Sequence, residues 1–208
     1  TAGPTYEKID PVRFIGNYSS GKMGFALAEA CAERGAEGTL VAGPVSLKTH
    51  HPAIKRIDVE SAGEMYQAAM TAFPSSDAAI LCAALADYRP ENASEQKIKR
   101  ETEREMTLHL VPNPDIAASL GAIKREGQVM VGFALETNDE ATHAEGKLKR
   151  KNLDFIVLNS LRDQGAGFRC DTNKITIIDN AGGVTSYPLK TKREVACDIV
   201  NKLVTLLK

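Results

Sequence analysis

Two runs of the chain, Ala78–Ala84 (AAILCAA) and Val129–Ala134 (VMVGFA), carry apolar or small side chains at consecutive positions, with no polar alternation. A strand with one wet face alternates. A strand covered by helices on both sides does not, and reads as a continuous apolar run. Segments of strand length, Gly38–Ala42, Ile54–Val59, Ala78–Ala84, Gln128–Ala134 and Asp154–Leu158, are separated by stretches of helical period, Gly21–Arg34, Ser61–Phe73, Asp115–Arg125 and Thr137–Lys151. That alternation predicts an α/β protein. In the first helix Met23, Leu27, Ala30 and Cys31 form one stripe, with Gly35 placed to end it. Ser20 reads as its cap, and Asn113-Pro114-Asp115 reads as cap, first-turn proline and acidic first turn of a later helix. The C-terminal part departs from the pattern. Lys174–Asp179 and Val184–Pro188 flank Asn180-Ala-Gly-Gly and predict an antiparallel hairpin, followed by a last helix over Lys192–Leu207.

Composition narrows the functional classes. The 208 residues suit one domain, taken here as 1–208, with 43% hydrophobic and 25% charged residues. Charges nearly cancel, 26 Lys+Arg against 27 Asp+Glu, which argues against a general nucleic-acid binder, whose affinity comes from many phosphate contacts. No apolar stretch approaches the roughly 18 residues of a membrane span. The four cysteines form no CxxC pair and the four histidines no metal-ligand spacing, so reduced thiols in a cytoplasmic protein are expected. The chain opens on Thr1 as though at the end of a strand, consistent with a domain cut from a longer protein.

Four segments carry polar chemistry at the ends of apolar runs. Gly16–Gly24 (GNYSSGKMG) nearly matches a P-loop but has Met23 where a hydroxyl must meet Mg²⁺, and it lacks GxGxxG. What remains is a Ser/Gly turn opening a helix, either an anion site on free amides and the helix dipole or simply a capped helix. Asp87 follows the first apolar run, as turn residue or ligand contact. Phe133 closes the second, as core residue or base-flanking ring. Lys147–Lys151 (KLKRK) complements the end of a helix. Tyr88–Glu105 is too polar to pack on a core, and it leaves the sheet at the strand end where open α/β folds bind ligands. It reads as a solvated stretch or as a flexible lid over about 88–105.

In order along the chain, TAGPT(x)E(x)IDPVR(x)I(x)N(x)SSGKMG at Thr1–Gly24, AALADYR at Ala83–Arg89, KIK at Lys97–Lys99, PNPDI at Pro112–Ile116, GFALETN at Gly132–Asn138, KNLD at Lys151–Asp154 and GF(x)(x)D(x)N at Gly167–Asn173 resemble phosphopantothenoylcysteine synthetases, in the bacterial form usually fused behind a flavin-dependent decarboxylase. The resemblance covers essentially the whole chain. It implies a Rossmann-like, mostly parallel sheet with helices on both faces. It also implies CTP-dependent joining of 4′-phosphopantothenate to L-cysteine in coenzyme A biosynthesis, with Mg²⁺ and through an acyl-cytidylate, in a homodimer with composite sites. Matched motif by motif, Asn17 would meet the activated acyl group and Lys97 the phosphates. Ser19, Ser20 and Gly21 would hold phosphate at the first helix. Leu81, Cys82 and Ala83 would bound the cytosine, with Asp87, Phe133, Lys147 and Lys151 around the nucleotide and Pro114, Asp115, Ile116 and Ala117 lining another helix start. The C-terminal hairpin is the expected dimer contact. Which residues would ligate a metal stays open. Two other readings share the fold class: a nicotinamide-dependent oxidoreductase, disfavoured by the missing GxGxxG, and a nucleotide sensor without turnover, which would have no use for Asn17 and Lys97.

Overall fold

The computed structural model describes residues 1–100, 105–136, 146–160 and 170–207. A short antiparallel ribbon, β1 (Glu7–Lys8) with β2 (Phe14–Ile15), precedes helix α1 (Lys22–Ala32). Strands β3 (Gly38–Ala42) and β4 (Ile54–Asp58) then pair in parallel. Helix α2 (Ala62–Ala72) leads into β5 (Ala78–Leu81). A second ribbon follows, β6 (Tyr88–Pro90) with β7 (Leu110–Pro112), and then α3 (Ile116–Ile123) and β8 (Val129–Glu136). Residues 146–150 are helical and precede β9 (Phe155–Ser160). The end of the chain contributes β10 (Thr172–Asn173), β11 (Ile175–Asp179), β12 (Val184–Ser186), β13 (Lys190–Thr191) and α4 (Lys192–Leu206).

The central sheet has the order β12-β11-β9-β8-β5; β5, β8 and β9 run parallel, and β11 and β12 add the antiparallel edge. The expected hairpin is present, with both strands shorter than the sequence suggests. Residues 1–5 join this sheet to β3–β4. Ala2 bridges Ala42 and Pro4 bridges Ala84, both in parallel sense. Ala2 N donates to Val41 O at 2.9 Å, Gly43 N to Ala2 O at 2.9 Å and Ala84 N to Gly3 O at 2.9 Å. With that segment in place the parallel strands read β4, β3, residues 1–5, β5, β8, β9. From the first strand the chain winds outward in one direction and then returns to wind in the other, which is the doubly wound arrangement, and its switch point lies between residues 1–5 and β5.

Alternation along the strands sends side chains into two layers. Val129, Val131, Phe155, Val157, Ile175 and Ile177 meet α1 and α4 through Leu27, Val195 and Ile199. Met130, Ile156, Leu158 and Ile178 meet α2, α3 and the 146–150 helix through Met65, Leu120 and Leu148. Two caps differ from the sequence reading. The α1 N-cap is Gly21 in the left-handed region (φ 78°) with no side-chain cap bond, so Ser20 does not serve there. Asp115, not Asn113, caps α3 by accepting from Ala118 N; Asn113 instead donates from Nδ2 to Ala86 O at 2.8 Å.

Close approach of α1 to residues 1–5 depends on Gly24. A Cβ there would stand 2.5 Å from Ala2 Cβ and 3.0 Å from Ala2 Cα. Gly24→Ala should therefore destabilise by about 1–3 kcal/mol, because the helix must lift off the strand. Gly63→Ala is the control: its Cβ would meet nothing nearer than Ser61 Oγ at 3.8 Å, at a half-buried position in the first turn of a helix, so it should be neutral or stabilising by up to about 1 kcal/mol. Urea denaturation of the two variants measures the contrast, and equal effects would remove the packing argument.

Candidate active site

At the switch point the strand ends, a helix start and a helix end enclose a cleft of about 300 Å³. Leu81 and Ala83 face it from β5 and its extension, on the side that packs toward α2 and α3. Cys82, between them, turns to the opposite core with Ile80 and Ala78. Burial pushes its thiol up to about 12, so it is neither lining residue nor nucleophile at neutral pH. Asp87 stands at the mouth. Phe133 reaches the cleft from β8, where Gly132 leaves room for Leu153, whose Cδ1 would lie 2.6 Å from a Cβ at that position.

The α3 start brings Pro114, Asp115, Ile116 and Ala117 to one wall. Lys147 and Lys151 come to the opposite wall from the helix ending at 150. Lys151 Nζ pairs with Asp115 Oδ2 at 3.0 Å, closing one end of the cleft. Partial burial pushes the Asp115 carboxyl up, but the Ala118 N–H and the Lys151 ammonium outweigh it and hold it below the usual range. The site thus presents cations and a helix N-terminus around an apolar slot, a combination suited to an anion carrying a flat ring. Sequence reasoning missed Asn113, whose side chain ties the cleft wall to Ala86 and whose backbone N donates to Asp87 O at 2.8 Å. The PNPDI motif contained the signal, but a cap was the simpler reading of an Asn before Pro.

The Ser/Gly turn lies on the other side of the β5 extension. Asn17 Nδ2 donates to Ala84 O at 2.5 Å, and Asn17 Oδ1 accepts from Ser19 N at 3.1 Å. Ser19 Oγ accepts from Gly21 N at 3.3 Å. One Asn side chain therefore pins the turn to the switch point with a donor and an acceptor, and Ser19, Ser20 and Gly21 stay at the α1 N-terminus. Nearby, Lys22 pairs with Asp171 at 2.6 Å, and Lys192 is buried and donates to the Cys170 carbonyl. Burial lowers the Lys192 pKa, and Lys22 adds to that. Lys97 is exposed and is not among the residues around the cleft. Of the lid span 88–105, its first three residues form β6, and residues 101–104 lie outside the described residues. So do Thr137 and Asn138 of GFALETN, and Gly167 and Phe168 of the last motif.

The chain matches the family described as DNA/pantothenate metabolism flavoprotein C-terminal domain over residues 1–207. It is 58% identical, over 99% of its length, to a prokaryotic protein named cysteine/cysteine sulfinic acid decarboxylase, of which it spans 57%. It is 48% identical over its whole length to the coenzyme A biosynthesis bifunctional protein CoaBC of Vibrio parahaemolyticus, of which it spans 52%. The chain thus spans little more than half the length of these curated relatives. A crystal structure of the C-terminal domain of a coenzyme A biosynthesis bifunctional protein CoaBC superposes with a TM-score of 0.82 at 40% identity, covering 99% of this chain and 93% of that one.

Because the Asp115 carboxylate is held ionised by folding, its contribution to stability follows pH in a defined direction. A folded-state pKa below the unfolded one adds stability that is complete above the unfolded value near 4 and is lost as pH falls through the folded value. Asp115→Ala should cost about 0.5–1 kcal/mol at pH 7, the low end for a cap because the carboxylate is half exposed. Urea midpoints of the variant and the wild type should converge toward pH ~3. Parallel curves down to that pH would show that the cap is not electrostatic.

Proposed function

The chain belongs to the family of DNA/pantothenate metabolism flavoprotein C-terminal domains, and from that membership we propose that it joins 4′-phosphopantothenate to L-cysteine at the expense of CTP. The observation that carries the proposal is the pinning of Asn17 to Ala84 at the switch point, which joins the Ser/Gly turn at the α1 N-terminus to the strand whose end lines the cation-walled slot. A carboxylate is a poor acyl donor, because oxide would have to leave. Attack of the phosphopantothenate carboxylate oxygen on the α-phosphorus of CTP expels pyrophosphate and gives an acyl-cytidylate. The cysteine amine then adds at the acyl carbon, CMP departs with the C–O bonding pair, and the amine loses its proton. Each step asks for charge stabilisation and alignment rather than a protein nucleophile.

The roles come from the motif match, and placement around the cleft supports those of Leu81, Ala83, Phe133, Lys147 and Lys151. Leu81 and Ala83 offer backbone edges to the base, Phe133 a ring face, and Lys147 and Lys151 positive charge. Ser19, Ser20 and Gly21 offer amides to the phosphates. Asn17 Nδ2 carries a second hydrogen beyond the one given to Ala84, suited to an acyl oxygen without adding charge. Lys97 would approach the phosphates from the 91–100 segment. Mg²⁺ usually enters with a triphosphate and takes one or two carboxylates besides phosphate oxygens. No group of three or more His, Cys, Asp or Glu gathers among the described residues, and Asp87 at the cleft mouth fits an ion carried in this way, which would offset phosphate charge. A homodimer is part of the same proposal. Exposed apolar side chains lie on the C-terminal hairpin (Val184) and also on the β1–β2 and β6–β7 ribbons (Phe14, Tyr88, Leu110), so the ribbons join the hairpin as candidate contacts between copies.

Pyrophosphate release from CTP should require phosphopantothenate, and saturating ATP should replace CTP poorly; equal release with ATP would count against the narrow base slot. Asn17→Asp puts an acceptor against Ala84 O and a negative charge beside the acyl phosphate, where repulsion is strong in a partly desolvated site. It should bind CTP and accumulate acyl-cytidylate in a quenched reaction analysed by mass. Normal yields of amide would show that Asn17 has another role.

A further inference from the structure

Asp10 lies outside the cleft, yet its side chain is fully buried and holds more hydrogen bonds than the turn it sits in requires. Oδ1 accepts from Val12 N and Arg13 N, both at 2.8 Å, which closes the loop between β1 and β2. Oδ2 accepts from Arg13 Nη1 at 2.6 Å and, across 88 residues of sequence, from Ile98 N at 3.2 Å. Arg13 Nη1 also donates to Ile98 O at 3.1 Å, so both backbone groups of Ile98 are held by the same loop. Ser94 N adds a bond to Ile9 O at 2.8 Å.

The loop that does the holding is itself fixed. Tyr6 N donates to Glu60 O at 2.8 Å, and the buried Glu7 carboxylate accepts from Ala62 N at the start of α2 at 2.9 Å. Burial pushes the Asp10 carboxyl up, but three backbone N–H groups and the Arg13 guanidinium outweigh it and hold it below the usual range, so it is ionised near neutrality.

Geometry carries this arrangement to the neighbouring residue. The peptide linking Lys97 to Ile98 is planar, so the N–H that Asp10 accepts shares a plane with the Lys97 Cα. Fixing that amide fixes where the Lys97 side chain begins and leaves its own torsions as the remaining freedom. We propose that Asp10 is the positioning residue for Lys97, a buried acceptor that fastens the 91–100 segment to the β1–β2 loop and so sets where the ammonium can reach. The role rests on the reading of Lys97 as the cation that meets the phosphates. It also changes the picture of the segment. The stretch is not a free lid but an arm with a clamp at residue 98, and the clamp shares Arg13 with the loop.

Asp10→Asn tests the clamp with almost no change of volume. An amide has one acceptor oxygen where four donors converge, and its NH₂ must face other N–H groups. Hydrogen exchange at the Ile98 amide should quicken by about tenfold or more, as for loss of a charge-assisted bond. Turnover, read as pyrophosphate release from CTP with phosphopantothenate, should fall about tenfold to a hundredfold with KM for CTP unchanged, as for a displaced catalytic group. In a Lys97→Gln background the same substitution should cost almost nothing further. If Asp10→Asn fails to fold, Ile98→Pro removes the donated hydrogen while Asp10 keeps its bonds from Val12 N and Arg13 N, though it also fixes φ at 98 and disfavours the α region at Lys97; it should show the same loss and the same non-additivity. Full turnover by Lys97→Gln overturns both the reading of Lys97 and the role of Asp10. A slow Lys97→Gln beside a fast Asp10→Asn, unchanged exchange at Ile98, or losses that multiply in the double variant each overturn the Asp10 proposal alone.

Discussion

Everything at the switch point depends on residues 1–5 lying as a strand between β3 and β5. Without that segment β3 and β5 would each present an open edge, and the two groups of parallel strands would have no common register. The segment is fixed by backbone bonds on both sides and by Thr5 Oγ1, which accepts from Ala86 N at 3.0 Å. Its neighbours are small because nothing larger fits. A Cβ on Gly43 would fall 1.7 Å from Pro4 O, and one on Gly24 would strike Ala2. Glycine here is a matter of space, and the same close packing brings the α1 N-terminus within reach of the strand end.

The site inherits its geometry from that strand. Because Ala84 pairs with Gly3 through its N–H, its carbonyl is left to accept from Asn17, and the Ser/Gly turn is drawn to the strand end rather than into solvent. The cleft itself is lined at the switch point by Leu81, Ala83, Phe133 and the α3 start, and the turn meets it through the Asn17–Ala84 bond. The glycines compensate for the missing GxGxxG: Gly21 supplies the left-handed turn (φ 78°) and Gly24 the close helix–strand contact.

The sequence was most legible where burial acts through local patterning. The strands β3, β5, β8 and β9 and the span of α2 follow from apolar runs and helical period, each visible within a few residues. Illegible were the features that depend on distant partners. Residues 1–5 contain Gly3 and Pro4 and carry no alternation, so nothing local marks them as a central strand. The pairing of Tyr88–Pro90 with Leu110–Pro112 joins segments with a charged stretch between them. Asp10 before Pro11 has the look of an ordinary turn residue, and its bond to Ile98 is a matter of tertiary structure. Asn113 was misread for the same reason: a residue before Pro-Asp invites a local role, and its amide serves Ala86 instead. The candidate site residues rest largely on motif resemblance; the fold brings Leu81, Ala83, Asp87, Phe133, Lys147, Lys151 and residues 114–117 around one cleft, and leaves Cys82, Lys97 and the Ser/Gly turn outside its lining.

The thiol and the ion pairs show what kind of catalyst this arrangement can be. Cys82, beside the strand end, is turned into the core and kept protonated by burial, so covalent catalysis through it is closed off. Asp115 is committed to a helix cap and to Lys151, which makes it a poor proton acceptor. What the crevice retains is directed charge: helix-start amides, lysines on stems anchored at one end, and an Asn amide with a hydrogen to spare. In the proposed reaction such groups would lower a barrier by being in place before charge develops on the phosphoryl and acyl oxygens, with no proton transfer of their own. Their effectiveness then depends on how firmly each stem is rooted. Lys151 is rooted by its ion pair with Asp115, Asn17 by Ala84, and the amide of Ile98, next to Lys97, by the carboxylate of Asp10.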